Sequence, residues 1–314
     1  MIIDDIDRLA QPDGFLGTVF AIEGVADATS LLNGPTGCKF PMGEASGDLY
    51  RRDRVFSLMR WAEEFYFKQD RIPCTYLDDY DYVFGAAEKL EYVFGRIAAK
   101  KPGFIGVINS PGASLIGDDL ARYARWAKLE VPWVAVDAPA FSRPWADGFA
   151  SGCQAVLEAI GPADEPARPA TVNLLGLSLW HRHWRGSLAE LTRLLRLCGI
   201  EVVCCPGAGS PVADLRRLRS AVLNVVVHDE AGRPLADWLE RSWGIPGYAS
   251  SAGAPVGFSA TATWIAGVCG RLGVDAAPAL ADLARQEERV AEKIYRFQQK
   301  SGLPKGVGFG VVLD

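Results

Sequence analysis

Two doubly wound, Rossmann-like α/β domains with parallel sheets, followed by a long C-terminal helix, are predicted by three features of the sequence. Short apolar runs alternate with amphipathic stretches along most of the chain, the pattern of parallel strands covered by helices on both faces. Gly161–Ala170 interrupts this alternation with three prolines in ten residues, as a linker would. The length of 314 residues is enough for two sizeable cores. The expected division is a first domain at 1–160, a linker at 161–170, a second domain at 171–275, and a helix with a terminal strand at 276–314.

Leu16 to Gly24 is a compact apolar piece leading into a turn at Asn33–Phe40. Arg51 to Lys68 mixes aromatic and charged residues as a half-buried helix does. Asp78, Asp79 and Asp81 precede a helix expected from about Phe84 to Ala99, with Ala87, Leu90, Val93, Phe94 and Ile97 on one face. Phe104 to Asn109 reads as a buried strand, broken at Ser110–Ser114, with a helix opening near Gly117. Trp133 to Asp137 is a strand and Asp147 to Ile160 a helix. After the linker, strands are expected at Val172–Leu177, Glu201–Cys205 and Ala221–Val227, and helices at Ser187–Cys198, Val212–Arg219 and Pro234–Trp243. A long helix at Ala277–Lys300 and a strand-like run at Gly306–Leu313 follow.

A formal charge of −5 and a pI near 5.4 argue against a nucleic-acid partner. Seven cysteines without a CxxC pair suit a reducing compartment. The acidic start Met1–Asp5 is unlike a signal peptide, and the apolar run Ala260–Gly270 is too short to cross a membrane. A cytoplasmic protein with no membrane partner is expected. The sequence holds no Gly-rich Lys-Ser/Thr phosphate loop, so any ATP belongs to a partner.

Two places carry chemistry. Cys38 follows Gly34-Pro35-Thr36-Gly37, at the mouth of a turn. A helix starting there would lower the thiol pKa and favour the metal-binding thiolate; the competing reading is a small buried thiol in a loop. In the second domain, three strands run into Ser178 to His183, Cys204-Cys205 and His228-Asp229. His181, His183 and His228, all the histidines of the protein, therefore fall at one edge of one sheet, where such folds bind ligands. Imidazole with thiolate suits a transition metal, and imidazole also moves protons. We read a ligand pocket here in preference to a metal site; the alternative is polar loops with Cys204 and Cys205 partly in the core.

Several motifs keep one order and spacing: Gly34 to Cys38, Tyr82-Val83-Phe84-Gly85 with Glu88-Lys89-Leu90, and Leu115-Ile116-Gly117-Asp118-Asp119. Leu191 to Ile200 with Glu201-Val202, then Leu223-Asn224, then Gly244-Ile245-Pro246, continue the series. Together, over roughly residues 11 to 270, they resemble component 1 of nitrogenase and its relatives. Those relatives include dark-operative protochlorophyllide reductase and the reductive cyclase of the methanogen nickel tetrapyrrole. The resemblance implies a 4Fe-4S-type iron–sulfur cluster at a subunit interface. Cys38 matches one family ligand; Asp13 matches a second, and an aspartate is a known cluster ligand in one relative. Pro111 matches the third and cannot ligate. A homodimer giving Cys38 and Asp13 twice would supply four ligands; alternatively a second component 1 subunit brings the rest, with Cys74 as a speculative extra ligand, or the cluster has been lost.

The resemblance also implies an ATP-dependent iron–sulfur reductase as electron donor, and an oxidoreductase acting on an unsaturated or tetrapyrrole-like substrate. His181, His183 or His228 would supply protons, and Ser178, Cys204 and Cys205 would line the pocket for the substrate or for a second metallocluster. In molybdenum nitrogenase the anchoring cysteine falls near Val202, out of register with Cys204 and Cys205, so that role is not carried over. Its histidine anchor lies in a third domain, which either is absent or is supplied elsewhere, so nitrogen fixation is not expected. The alternatives to a reductase subunit are a scaffold for metallocluster or tetrapyrrole assembly and a cluster-less ligand-binding protein.

Overall fold

The computed structural model describes residues 13–39, 72–137 and 143–301; the helix expected at Arg51–Lys68 and the strand at Gly306–Leu313 lie outside them. Helix α1 (Gly14–Glu23) leads into β1 (Ala28–Asn33), which is followed by α2 (Asp79–Phe84), α3 (Ala87–Ala98), β2 (Phe104–Asn109), α4 (Leu120–Trp126), β3 (Trp133–Val136) and α5 (Trp145–Ile160). The second half holds β4 (Thr171–Leu175), α6 (Trp184–Leu197), β5 (Glu201–Cys204), α7 (Val212–Arg216), β6 (Leu223–Val226), α8 (Asp229–Trp243), β7 (Gly247–Tyr248), α9 (Gly257–Leu272) and α10 (Ala277–Ser301). Two sheets result, ordered β1-β2-β3 and β5-β4-β6-β7, and every pairing between named strands is parallel.

Strand β2 is buried along its whole length. Phe104 and Ile108 enter one core with α1 and α5, while Ile105 and Val107 enter another with α3 and α4. That is period-2 alternation in a strand with no wet face, which is why it reads as an unbroken apolar run. The first of these cores continues through α5 into the second sheet.

The apolar piece at Leu16–Gly24, to which no element was assigned, lies in helix α1. Nine of its ten residues are buried, so no polar stripe marks its period, and the strand β1 behind it carries no clear alternation either. Asp13 caps α1, its carboxylate accepting from the Leu16 amide at 3.1 Å. Glycines let α1 and α5 meet backbone to backbone: a Cβ on Gly17 would lie 2.1 Å from the Trp145 carbonyl oxygen, and one on Gly148 2.0 Å from that of Gly14. Gly148→Ala is therefore expected to lower stability by about 3 kcal/mol, because backbone cannot yield as a side chain can. A thermal melt unchanged to within about 1 °C would show that the two helices part freely.

The helix expected from about Phe84 to Ala99 is α3 (Ala87–Ala98), and a further short helix, α2, precedes it. Gly85 adopts φ 91°, and the Asp118 carboxylate takes the Ala86 amide at 2.9 Å, so the chain turns between α2 and α3. Asp78 opens α2 with a reciprocal capping box to Asp81. Helix α8 starts five residues ahead of Pro234, which lies inside it, and α9 fills a stretch where no element was expected. Residues 161–170 lie docked along the second sheet: the Ala163 and Arg168 amides donate to the carbonyls of Arg216 and Ser220 at 2.7 and 2.9 Å. Among the described residues no helix is long and apolar enough to cross a membrane.

Candidate functional site

At the first sheet, β1 ends on Asn33, whose side-chain amide donates to the Asn109 side chain at the end of β2, 2.8 Å away. Pro35 turns the chain into a helical turn at 36–39, and Cys38 stands in it, half-buried. The expected lowering of its pKa is not found. Burial pushes the thiol up and the Asp13 carboxylate reinforces this, against a hydrogen bond from Ser110. Asp13, Cys38 and Ser110, the neighbour of Pro111, thus share one rim. Cys74 faces inward: its thiol donates to the Gly34 carbonyl at 3.1 Å and accepts from the Tyr76 amide at 3.4 Å, and burial raises it to about 11. Among the described residues no three of His, Cys, Asp and Glu are already gathered as a metal site. The donors at this rim, one thiol and one carboxyl at an accessible edge, fit half a cluster's ligand shell; a bound metal would displace the thiol proton.

In the second sheet β4 is flanked by β5 and β6. The chain leaves β4 for β5 and then crosses back to β6, so the topological switch point lies between β4 and β6, and its crevice opens at their carboxyl ends. The loops after these two strands bring His181 and His228 together, their rings stacked with centroids 4.1 Å apart and planes 13° apart. Trp145, from α5, meets His181 edge-on at 6.3 Å. The Ser178 amide donates to Nδ1 of His181 at 3.0 Å, which leaves the proton of the neutral ring on Nε2. Burial, with the neighbouring His228, lowers the His181 pKa to about 4, and burial lowers that of His228.

The pair lines a cavity of about 790 Å³, whose lining also includes Arg182, His183, Phe258 and Glu190. Glu190 is held by Arg193 at 2.8 Å and by Gln286 of α10 at 3.1 Å, and its carboxyl is kept below the usual range by Arg193. All three histidines therefore meet at one cavity. Ser178 is buried behind His181 and orients it. Cys204 and Cys205 are not brought there. Cys204 ends β5 and Cys205 follows it, on the far side of β4 from the switch point, and they are 3% and 1% exposed; the Cys204 thiol donates to the Asn173 side chain at 3.3 Å. Trp145 and the Glu190–Arg193–Gln286 wall were missed, since no motif ties α5 or α10 to these loops.

The histidine pair gives the protein a pH dependence with a definite sign. The unfolded chain takes up the imidazole proton near pH 6.5, whereas buried His181 resists it until about 4. Stability is therefore flat above pH 6.5 and falls as pH drops towards 4, by at most about 1.4 kcal/mol per pH unit. The urea midpoint should decline over this window in wild type and less in His181→Gln; an equal decline in both would remove His181 as the cause.

The chain is thus a two-sheet parallel α/β protein with a thiol at the rim of one sheet and an imidazole-lined crevice at the switch point of the other. The chain belongs to the nitrogenase component 1 type oxidoreductase family, whose model matches residues 14–304. It is 32% identical over 254 residues to the B-type subunit of the light-independent protochlorophyllide reductase of Methylobacterium sp. (strain 4-46), covering 78% of this chain and 48% of that protein. To the protein of the same name in Rhodopseudomonas palustris (strain BisB18) it is 32% identical over 285 residues, covering 84% and 51%. The chain thus spans about half the length of the curated relatives it matches. Its fold resembles the solved structures of nitrogenase Cp1 at pH 5 and at pH 6.5, with TM-scores of 0.66 and 0.67 and 20% and 22% identity; each match covers 92% of this chain and 56% or 53% of the other.

Proposed function

We propose that the chain is a component 1 subunit that receives low-potential electrons from an ATP-dependent iron–sulfur reductase and reduces an unsaturated, tetrapyrrole-like substrate in the crevice between β4 and β6. The observation that carries this reading is the stacked, neutral histidine pair facing a cavity of about 790 Å³, within the size range of small-molecule and cofactor sites. With a pKa near 4, His181 stands neutral at pH 7 and offers Nε2–H as a hydrogen-bond donor. Negative charge arriving on a bound substrate raises that pKa, so the ring takes up a proton from solvent and the imidazolium so formed can pass a proton to the substrate. His183 and His228 complete the polar side of the same pocket.

Cys38 and Asp13 would hold an iron–sulfur cluster shared with a second subunit, either a copy of this chain or another component 1 chain. Bound there, the cluster would supply one-electron transfer at low potential. The apolar side chains of Tyr80, Val83, Phe84 and Leu115 are exposed around this rim, and Tyr82 reaches over Gly112, its hydroxyl 3.1 Å from where a Cβ would stand. A second subunit would cover this surface. We take the protein to act in the cytoplasm.

Spectral titration with protochlorophyllide tests the substrate class. Saturable binding that weakens in His181→Ala is expected. A spectrum unperturbed up to the solubility limit of the pigment would overturn it.

A further inference from the structure

The crevice between β4 and β6 holds one group that proton supply leaves unused. Arg182 lines its cavity, in the loop that carries His181. Two turns close this loop: the His181 amide donates to the Ser178 carbonyl at 3.1 Å, and the Trp184 amide to that of His181 at 2.9 Å. The backbone of Arg182 is thereby fixed, while the residue itself is exposed. Among the described residues its guanidinium has no hydrogen-bond or ion-pair partner. Apart from the histidines, the lining holds two charged side chains, Arg182 and Glu190. Glu190 is neutralised by Arg193 through two contacts of 2.8 Å, and burial keeps His181 and His228 neutral. A cavity otherwise walled by Leu191, Leu194, Val227 and Phe258 thus carries one uncompensated positive charge beside the proton-donating histidine.

We propose that Arg182 is the carboxylate anchor of this cavity: the substrate is an apolar ring system bearing a carboxylate at its edge, and the guanidinium holds that carboxylate. The inference rests on the reading of the crevice as the substrate site, and names what that substrate must carry. A guanidinium offers two parallel N–H donors to the two oxygens of a carboxylate, a match that an ammonium group lacks. Pairing at an exposed residue leaves both charges partly hydrated, so little desolvation opposes it. The body of the ring then fills the apolar part of the cavity, where burial supplies most of the affinity. Because Arg182 directly follows His181 in a fixed loop, the anchored edge sets the ring at one distance from the imidazole. Arg182 therefore selects among ring substrates by their acidic edge and orients the one selected, without touching the bond that is reduced.

The test is a spectral titration of the full chain with protochlorophyllide and with the same pigment methylated at its free carboxyl, in wild type, Arg182→Gln and Arg182→Lys. Wild type should bind the acid about tenfold more tightly than the ester. In Arg182→Gln the two should bind alike, at the affinity of the ester, and Arg182→Lys should keep part of the preference. Raising salt from about 0.05 to about 0.5 M should weaken binding of the acid and leave the ester unchanged. Equal affinity of wild type for acid and ester would overturn the anchor while leaving the crevice as the substrate site. A preference for the acid that persists in Arg182→Gln would overturn it too, since another group would then hold the carboxylate. Binding of neither pigment would overturn the reading of the crevice itself, and the anchor with it.

Discussion

Cys38→Ala, purified anaerobically, is expected to lose its iron and its visible absorbance completely while keeping its fold. Of the seven cysteines, only Cys38 and Cys198 are less than fully buried, and Cys38 alone stands on the rim with Asp13. A half-buried thiol contributes little packing, so the variant should melt within about 1 kcal/mol of wild type. The loss of metal should bring loss of the oligomer, since Cys38 and Asp13 are two donors and a cluster needs about four. Iron and sulfide quantitation beside sedimentation reads both. Wild type free of iron, with any partner present, would sink the cluster reading and leave a ligand-binding protein in its place.

His181→Ala should lower turnover by about 10²-fold or more while iron content stays at the wild-type level. The reason is positional. Ser178 fixes the tautomer, His228 and Trp145 fix the plane, and the Nε2 donor is thereby aimed without any reorganisation when charge develops. His181→Asn, which retains a donor amide on a shorter side chain, should recover part of the loss. If turnover in His181→Ala matched wild type, the crevice would not be where reduction takes place. The contrast with Cys38→Ala, which removes metal and turnover together, separates the two sites.

Elements with one wet and one dry face were legible in the sequence: α3 and α6 were found to within about three residues at their starts and one at their ends because their polar stripes set the period. Strand β2 was legible for the opposite reason, a short run of apolar residues closed by Ser110 and Pro111. Helix α1 and strand β1 were not, because burial on every side erases the contrast from which a period is read. The meeting of the histidines could be anticipated from loops that leave parallel strands at one edge. The exclusion of Cys204 and Cys205 could not, because strand order is a tertiary fact: only when β6 lies on the other side of β4 does the crevice open away from β5. Cys38 was legible as a turn residue, but its protonation was not, since it is set by burial, by a Ser110 hydrogen bond from another strand end and by a carboxylate that lies 25 residues earlier in the chain.

The first turn of α5 touches both sites at once. Pro144 forms a β-bridge with Asp13, and the next residue, Trp145, lies against His181. The route from rim to crevice is thus one bridge, one peptide bond and one ring contact long. Gly17 and Gly148 clamp that turn against α1 with no side chain between, so the gap between the sites works as a fixed gauge. Any insertion near Pro144 would retune both ends together, and neither site can drift in position without the other registering the change.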